Sequence, residues 1–441
     1  MTRFQWRNPL RPEEWAPFAI LALLLFANIF VAQASDVVAT SGFVSSVGIN
    51  SVLWLWAIDN LLMIALAAGF SLVADRFRRE NLALWLFVGS AAAYGLLGLL
   101  FAAQAPDWLK YSLLLLVGDQ QYLLFPVLLW TLANDVFNVA QAKRLFPYLG
   151  AAAVLGNIVG NLVPGFSDSL GLSAQGILSL NAIIMLLGAA VLWLGKARIT
   201  IKVRQSQTGL ALRDVFSEGL AFVREIPAFF YLCISLMLCG VAFNTLEFYL
   251  IAVAAQTYTQ SSELQQFYGV FRGVRTFLLL ILQLGLAAWL IEGLGFKKVF
   301  RPMPLAMLAG LVLALVFPGI VAAVVANALS RLALEGIDEP ARRAFFGLIP
   351  DERRGRVTAF VDGYMYPLGS LVSCLVVGLL VALIPQETRL EQVLYLGLAV
   401  LAGVAAFWAL TRLAATYDKS MLNWRLQRRK RGSQVLDNLK L

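Results

Sequence analysis

The residues best placed to do chemistry are charged side chains set inside otherwise apolar runs. Asp59, Asp119, Glu247, Arg272, Arg275 and Arg331 each interrupt a stretch of this kind. A charge at bilayer depth costs about 3 to 10 kcal/mol, so each needs a partner, a cavity or water. Counted from the nearest outer end of its run, each lies about 12 to 18 Å deep at the helical rise. Arg275 follows Arg272 on the same helical face, so three acids stand against three bases. Two guanidinium forks so spaced can hold the oxygens of a carboxylate or phosphate. Glu247 is then either their resting counter-ion, displaced by an arriving anion, or one member of a permanent ion pair between two helices. Asn244, Asn157 and Arg331 complete the candidate binding set. The chain has no histidine, so proton chemistry must use carboxylates. Asp59 and Asp119 either carry a coupling proton or bond neighbouring Asn60, Gln120 or Gln121. Arg331 and Glu335, four apart, predict an intrahelical bridge, with Glu335 assigned to an inner gate.

These residues must be positioned by membrane-spanning helices. Hydrophobic residues make up 60% of the 441 and charged residues 14%, and the mean hydropathy is +0.76. That balance excludes an ordinary soluble domain and predicts an all-α polytopic membrane protein. Spans of helical length fall at about 16–34, 51–73, 82–104, 109–133, 145–164, 176–195, 228–255, 264–290, 300–318, 319–340, 357–384 and 391–412. Twelve helices follow, as an N-terminal six-helix bundle over 1–195, a linker over 196–227, a C-terminal six-helix bundle over 228–412 and a basic tail over 413–441. Within the linker, Val215, Phe216, Leu220 and Phe222 predict a short amphipathic helix lying on the membrane surface or else a solvated connection. Helix 5 carries Gly150, Ala153, Gly156, Asn157, Gly160 and Asn161, a face that suits close helix packing. A polar cavity at the interface of the two bundles is where the buried charges are expected to meet.

Charge asymmetry tests the helix count, because an error of one span would invert every later loop. Arg3, Arg7, Arg11, Arg76, Arg78, Arg79, Lys143, Arg144, six cations of the linker, Lys297, Lys298, Arg301, the run from Arg342 to Arg356 and the tail all fall on one face. The other face shows Lys110 and Arg389. Both termini are expected in the cytoplasm, in the inner membrane of a bacterium. The formal charge of +9 therefore reflects topology, and no nucleic-acid partner is expected. Cys233, Cys239 and Cys374 sit in apolar spans without metal-ligand spacing, so no disulfide, metal or other cofactor is expected. No phosphate-binding loop of an ATPase occurs and no ligand set for a metalloenzyme, which argues for a non-enzyme. Trp54, Trp56, Trp108 and Trp424 stand near span ends as interfacial anchors.

Two motifs carry a resemblance. After the second span, Ser71-Leu72-Val73-Ala74-Asp75-Arg76-Phe77-Arg78-Arg79 resembles the loop G-x-x-x-D-R-x-G-R-R of the major facilitator superfamily, with Asp75, Arg76 and Arg79 matching. Further on, Trp130-Thr131-Leu132-Ala133-Asn134-Asp135, then Gln141-Ala142-Lys143-Arg144-Leu145-Phe146-Pro147 and Gly150, is similar to the ATP/ADP translocase family, as is Asn244-Thr245-Leu246-Glu247. A weaker echo runs from Asp338-Glu339-Pro340 to Gly355-Arg356. The resemblance implies an alternating-access secondary transporter of a nucleotide or phosphorylated anion, working by exchange or proton coupling. Asp75, Arg76, Asp135, Lys143, Arg144 and Glu335 would then act in gating. The chain departs from that family where it shows a basic cluster near the end of helix 1. Here Ala32-Gln33-Ala34-Ser35-Asp36 keeps only the aspartate. The family's lysine in helix 11 has no counterpart beside Tyr364-Met365-Tyr366-Pro367. A lipid or amphipathic-drug transporter of the same fold, and a non-transporting membrane anchor or sensor, are the alternatives. The expected partners are a small anionic substrate and the bilayer, and the expected state is a monomer.

Overall fold

In hydrocarbon the backbone must satisfy its own hydrogen bonds, which for apolar runs of this length leaves the helix. The computed structural model of the chain shows helices and no strand among the described residues. These are residues 11–74, 77–196, 212–346, 349, 357–358, 360–384 and 389–438; the side chains of 67–74, 139, 143, 212–218, 288 and 419–438 also lie outside the description.

A short 3-10 turn, Pro12–Glu14, leads into α1 (Trp15–Ser46), followed by α2 (Asn50–Ala74), α3 (Arg79–Ala102), α4 (Asp107–Val136), α5 (Val139–Gly165) and α6 (Ala174–Gly195). The second sequence half holds α7 (Leu212–Glu225), α8 (Pro227–Thr257), α9 (Ser261–Gly285), α10 (Ala287–Lys298), α11 (Pro302–Val316), α12 (Ile320–Ala333), α13 (Glu339–Phe346), α14 (Tyr366–Leu383) and α15 (Arg389–Asn438). A π-helical segment, Leu334–Asp338, joins α12 to α13, and another, Val361–Met365, leads into α14. Ten described helices are long and apolar enough to cross a membrane. The pair Trp289–Lys298 and Pro302–Val316, bent by 96°, is an eleventh if taken as one span, and the described apolar part of α2, Asn50–Leu66, is shorter. The protein is an all-α integral membrane protein.

The chain packs as two compact units, residues 1–210 with 254–280 and residues 211–253 with 281–441. In the first, α1 is the central element, packed on α4, α5 and α6, while α3 lies along α6. Two glycines of α5 let α1 approach its backbone: a Cβ at Gly156 would stand 2.6 Å from the Phe26 carbonyl oxygen, and one at Gly160 would stand 2.5 Å from that of Phe30. The small-residue face expected on helix 5 is therefore a packing face, and its partner is α1. In the second unit α8 and α14 cross just as closely, since a Cβ at Gly369 would meet the Met237 carbonyl oxygen at 2.0 Å.

Three expectations are corrected. First, α1 does not end near residue 34 but continues to Ser46. Gln33, Ser35, Asp36, Thr40 and Ser41 lower the local hydropathy, yet most of their neighbours on α1 are buried inside the unit. Second, the run expected over 264–290 breaks at Leu286, and α10 fills what was expected to be a loop before turning sharply into α11. Gly295 holds a left-handed φ of +60° there, which suits glycine. Third, the C-terminal end of α7 is covered by protein, while Val215 and Phe216 of its apolar stripe lie outside the described side chains. Phe222 and Val223 are buried among Phe229, Phe345 and Phe360, with the Phe222 and Phe229 rings 5.2 Å apart. A Cβ at Gly219 would meet that of Phe360 at 2.5 Å. The three cysteines are buried and unbridged.

Candidate functional site

In the first unit, Asp36, Asp59, Asp119 and Arg272 gather from α1, α2, α4 and α9. The guanidinium of Arg272 donates from Nη1 to Oδ2 of Asp36, whose other oxygen accepts from the Thr40 hydroxyl at 2.9 Å. Asp59 accepts from Gln120 Nε2 at 2.8 Å and lies within hydrogen-bonding reach of Asp119, while Asp36 acts electrostatically on both. Two carboxyl groups bond to one another only when one of them supplies the O–H. Arg272 also stands 5.7 Å from the Tyr268 ring centroid, and Arg275 stands 5.6 Å from that of Phe271.

The register of α9 on α5 places Arg272. Gly269 and Gly165 lie backbone to backbone, where a Cβ at Gly269 would come 2.5 Å from Cα of Gly165 and from the Asn161 carbonyl oxygen. Toward one end, Gln265 Nε2 donates to the Pro164 carbonyl at 2.9 Å and the Ser167 hydroxyl at 2.8 Å. Toward the other, Thr276 donates to Asn157 Oδ1 at 2.9 Å. The same Asn157 oxygen accepts from Asn161 Nδ2 at 2.9 Å, which also reaches Gln33 Oε1 at 3.1 Å. Arg272 is thus set one turn beyond a glycine crossing, against α1 and beside a row of amides.

The second unit holds a different cluster. Arg331 on α12 lies 3.1 Å from Glu335 and 3.7 Å from Glu247 of α8. Its guanidinium carbon lies 4.2 Å from the centroid of the Phe243 ring. Asn327, fully buried, donates to Glu247 Oε2 at 2.8 Å. The intrahelical bridge expected for Arg331 and Glu335 is present. Within the second unit the guanidinium beside Glu247 is Arg331, and within the first the carboxylate beside Arg272 is Asp36. Asn244, placed with the binding set from the sequence, accepts from Ser370 at 2.9 Å and donates to Ser373 at 3.3 Å, so these bonds join α8 to α14.

Further pairs lie at helix ends. Asp135 accepts from Arg79 at 2.5 Å, and Arg144 donates to buried Glu14 at 2.5 Å. Buried Arg342 lies 3.7 Å from Asp338 and 3.4 Å from Asp362. Asp75 and Arg76 fall outside the described residues, as does the side chain of Lys143. Sequence reasoning left Asp36 off the charged shortlist because the first span was closed two residues before it. The signal for a longer helix was the helical spacing of Val31, Ala34, Val38 and Ala39.

No model of a known family matches the chain, and no curated protein matches it in sequence. Solved structures do resemble it. A nucleoside transporter, NupG, is 16% identical, covers 90% of this chain and 98% of its own, and superposes with a TM-score of 0.63. A bacterial homologue of the iron transporter ferroportin, in an inward-facing state, is 16% identical with 91% and 100% covered and a TM-score of 0.64. The POT family transporter PepTSo is 14% identical with 94% and 99% covered and a TM-score of 0.62. The likeness supports the major facilitator fold and does not single out the ATP/ADP translocase family; what the chain shares with these transporters is their twelve-helix architecture.

Proposed function

We propose that the protein is a secondary active transporter of an anionic metabolite, with a nucleotide or phosphorylated compound as the first candidate. It works by alternating access coupled to protons, in the inner membrane of a bacterium with both termini in the cytoplasm. The six-helix bundles 1–195 and 228–412, the linker 196–227 and the tail 413–441 are the divisions this reading uses. The observation that carries it is the pairing of buried Arg272 with Asp36 beside the Asp59 and Asp119 carboxyls. An incoming anion competes with Asp36 for the guanidinium fork, which ties occupancy to rearrangement around α1 and α9. Asp36, once released, and the Asp59–Asp119 pair are groups on which a coupling proton is taken up or given off. Arg275, Asn157 and Thr276 line the same stretch of α9 and α5, and Arg331 with Glu247 forms a second anion-competent pair. Asp75, Arg76, Asp135, Lys143, Arg144 and Glu335 belong to the gates.

One observation favours a less charged cargo. Asp36 already occupies the Arg272 guanidinium, and the adjoining row of amides suits an uncharged nucleoside, the class named for one structural neighbour. Proteoliposomes separate the two readings. Uptake of labelled ATP, ADP or sugar phosphate, driven by an inward proton gradient and competed by the unlabelled anion, is expected. Labelled nucleoside accumulating while every phosphorylated compound is ignored would replace the anion reading. Indifference to all of them and to the gradient would remove the transport reading.

A further inference from the structure

Away from both charge clusters, α3 and α6 leave an exposed apolar groove between them. It holds about 360 Å³ and is lined by Leu84, Trp85, Val88, Ala189, Ala190 and Trp193. The two indoles are 71% and 67% exposed, and the alanines keep the floor low between them. One helical turn beyond the indoles, Lys196 Nζ reaches from the end of α6 to Asn81 Oδ1 of α3 at 2.5 Å. Arg78, just before α3, pairs with buried Glu80 at 2.6 Å and keeps a side chain that is 75% exposed. The orientation proposed above, on which the following rests, puts this end in the cytoplasm.

We propose that the groove is a binding site for an anionic phospholipid of the inner leaflet, with the upper part of one acyl chain between Trp85 and Trp193 and the phosphate at Lys196. Each part of the site matches a part of that ligand. Indoles sit at the level where acyl chains meet headgroups, apolar body inward and N–H toward the wet side. A cation at the end of a membrane helix extends toward the headgroups and attracts a net negative charge. From Lys196 to Ala189 the site runs about 10 Å along α6, which suits a chain segment and is short for a docked helix. The groove lies wholly on α3 and α6, so occupancy can be measured without substrate.

The full chain in phosphatidylcholine nanodiscs, doped with phosphatidylglycerol or phosphatidylcholine carrying brominated acyl chains, tests this through tryptophan quenching. Brominated phosphatidylglycerol is expected to half-saturate quenching at an about fivefold lower fraction than brominated phosphatidylcholine, the preference one lysine near the surface supplies. The double variant Trp85→Phe with Trp193→Phe should lose that selective component. Lys196→Gln, with an unchanged melting temperature, should bring the two lipids onto one curve. Ala190→Leu, which fills the floor, should weaken the selective component while Lys196 remains. Equal quenching by the two lipids in the wild type would overturn the proposal. So would a preference that survives Lys196→Gln or the loss of both indoles, or one abolished by soluble glycerol phosphate.

Discussion

Arg272 and Arg331 are two cations of one type within apolar helices of two units, and they are neutralised in opposite ways. Arg331 finds Glu335 four residues along its own chain, leans on the Phe243 ring and keeps a side chain 29% exposed. Arg272 pairs with Asp36 from a position 236 residues distant, and its side chain is 10% exposed. A guanidinium balanced by its own helix can be accommodated as that helix forms. One balanced by another helix is satisfied only after helices have docked. The surrounding charge differs as well. Arg331 stands between two glutamates, one of them also held by Asn327, whereas Arg272 pairs with Asp36 beside two further carboxyls, Asp59 and Asp119. The first arrangement resembles a braced strut. The second has ionisable groups to spare, which is what coupled transport needs.

The largest break in this contrast should come at Arg272. Arg272→Gln is expected to abolish anion uptake and to lower stability by about 1.5 to 3 kcal/mol, the cost of losing a hydrogen bond between charged groups at a partly buried carboxylate. Adding Asp36→Asn should restore much of the melting temperature without restoring uptake. If the double variant transports normally, Arg272 serves packing and not the cargo. A more selective effect is expected at Asp119. Asp119→Asn should fold, lose accumulation driven by a proton gradient and keep exchange of labelled for unlabelled substrate across the membrane. Gradient-driven accumulation at the wild-type level would place the coupling proton elsewhere. The smallest effect belongs to the locally satisfied cluster. Glu335→Gln should cost about 0.5 kcal/mol or less, as for helix ion pairs four apart, measured by thermal unfolding in detergent. A loss as large as that of Arg272→Gln would show that the two cations are not neutralised differently after all.

How much was legible varies with the range of the interaction. The bridge from Arg331 to Glu335 follows from spacing alone, and so do the small-residue face of α5 and the break at Gly319, where φ is +144°. Asp36 illustrates the opposite limit. Its run of polar neighbours looks like the end of a span, and only the packing of α1 among α4, α5 and α6 shows why the helix continues. The linker helix is an intermediate case. Its amphipathic pattern was visible, but a pattern does not distinguish lipid from a cluster of phenylalanines as the surface that covers it.

By itself, the sequence determined that this chain is a bundle of membrane helices and about where each begins. Hydropathy, helical spacing and loop charge are local quantities, and the bilayer reads them locally. Which charge neutralises which was decided by tertiary structure. That depends on helix crossings such as Gly165 on Gly269, where two missing side chains let two backbones touch and so set the register that brings Arg272 to Asp36.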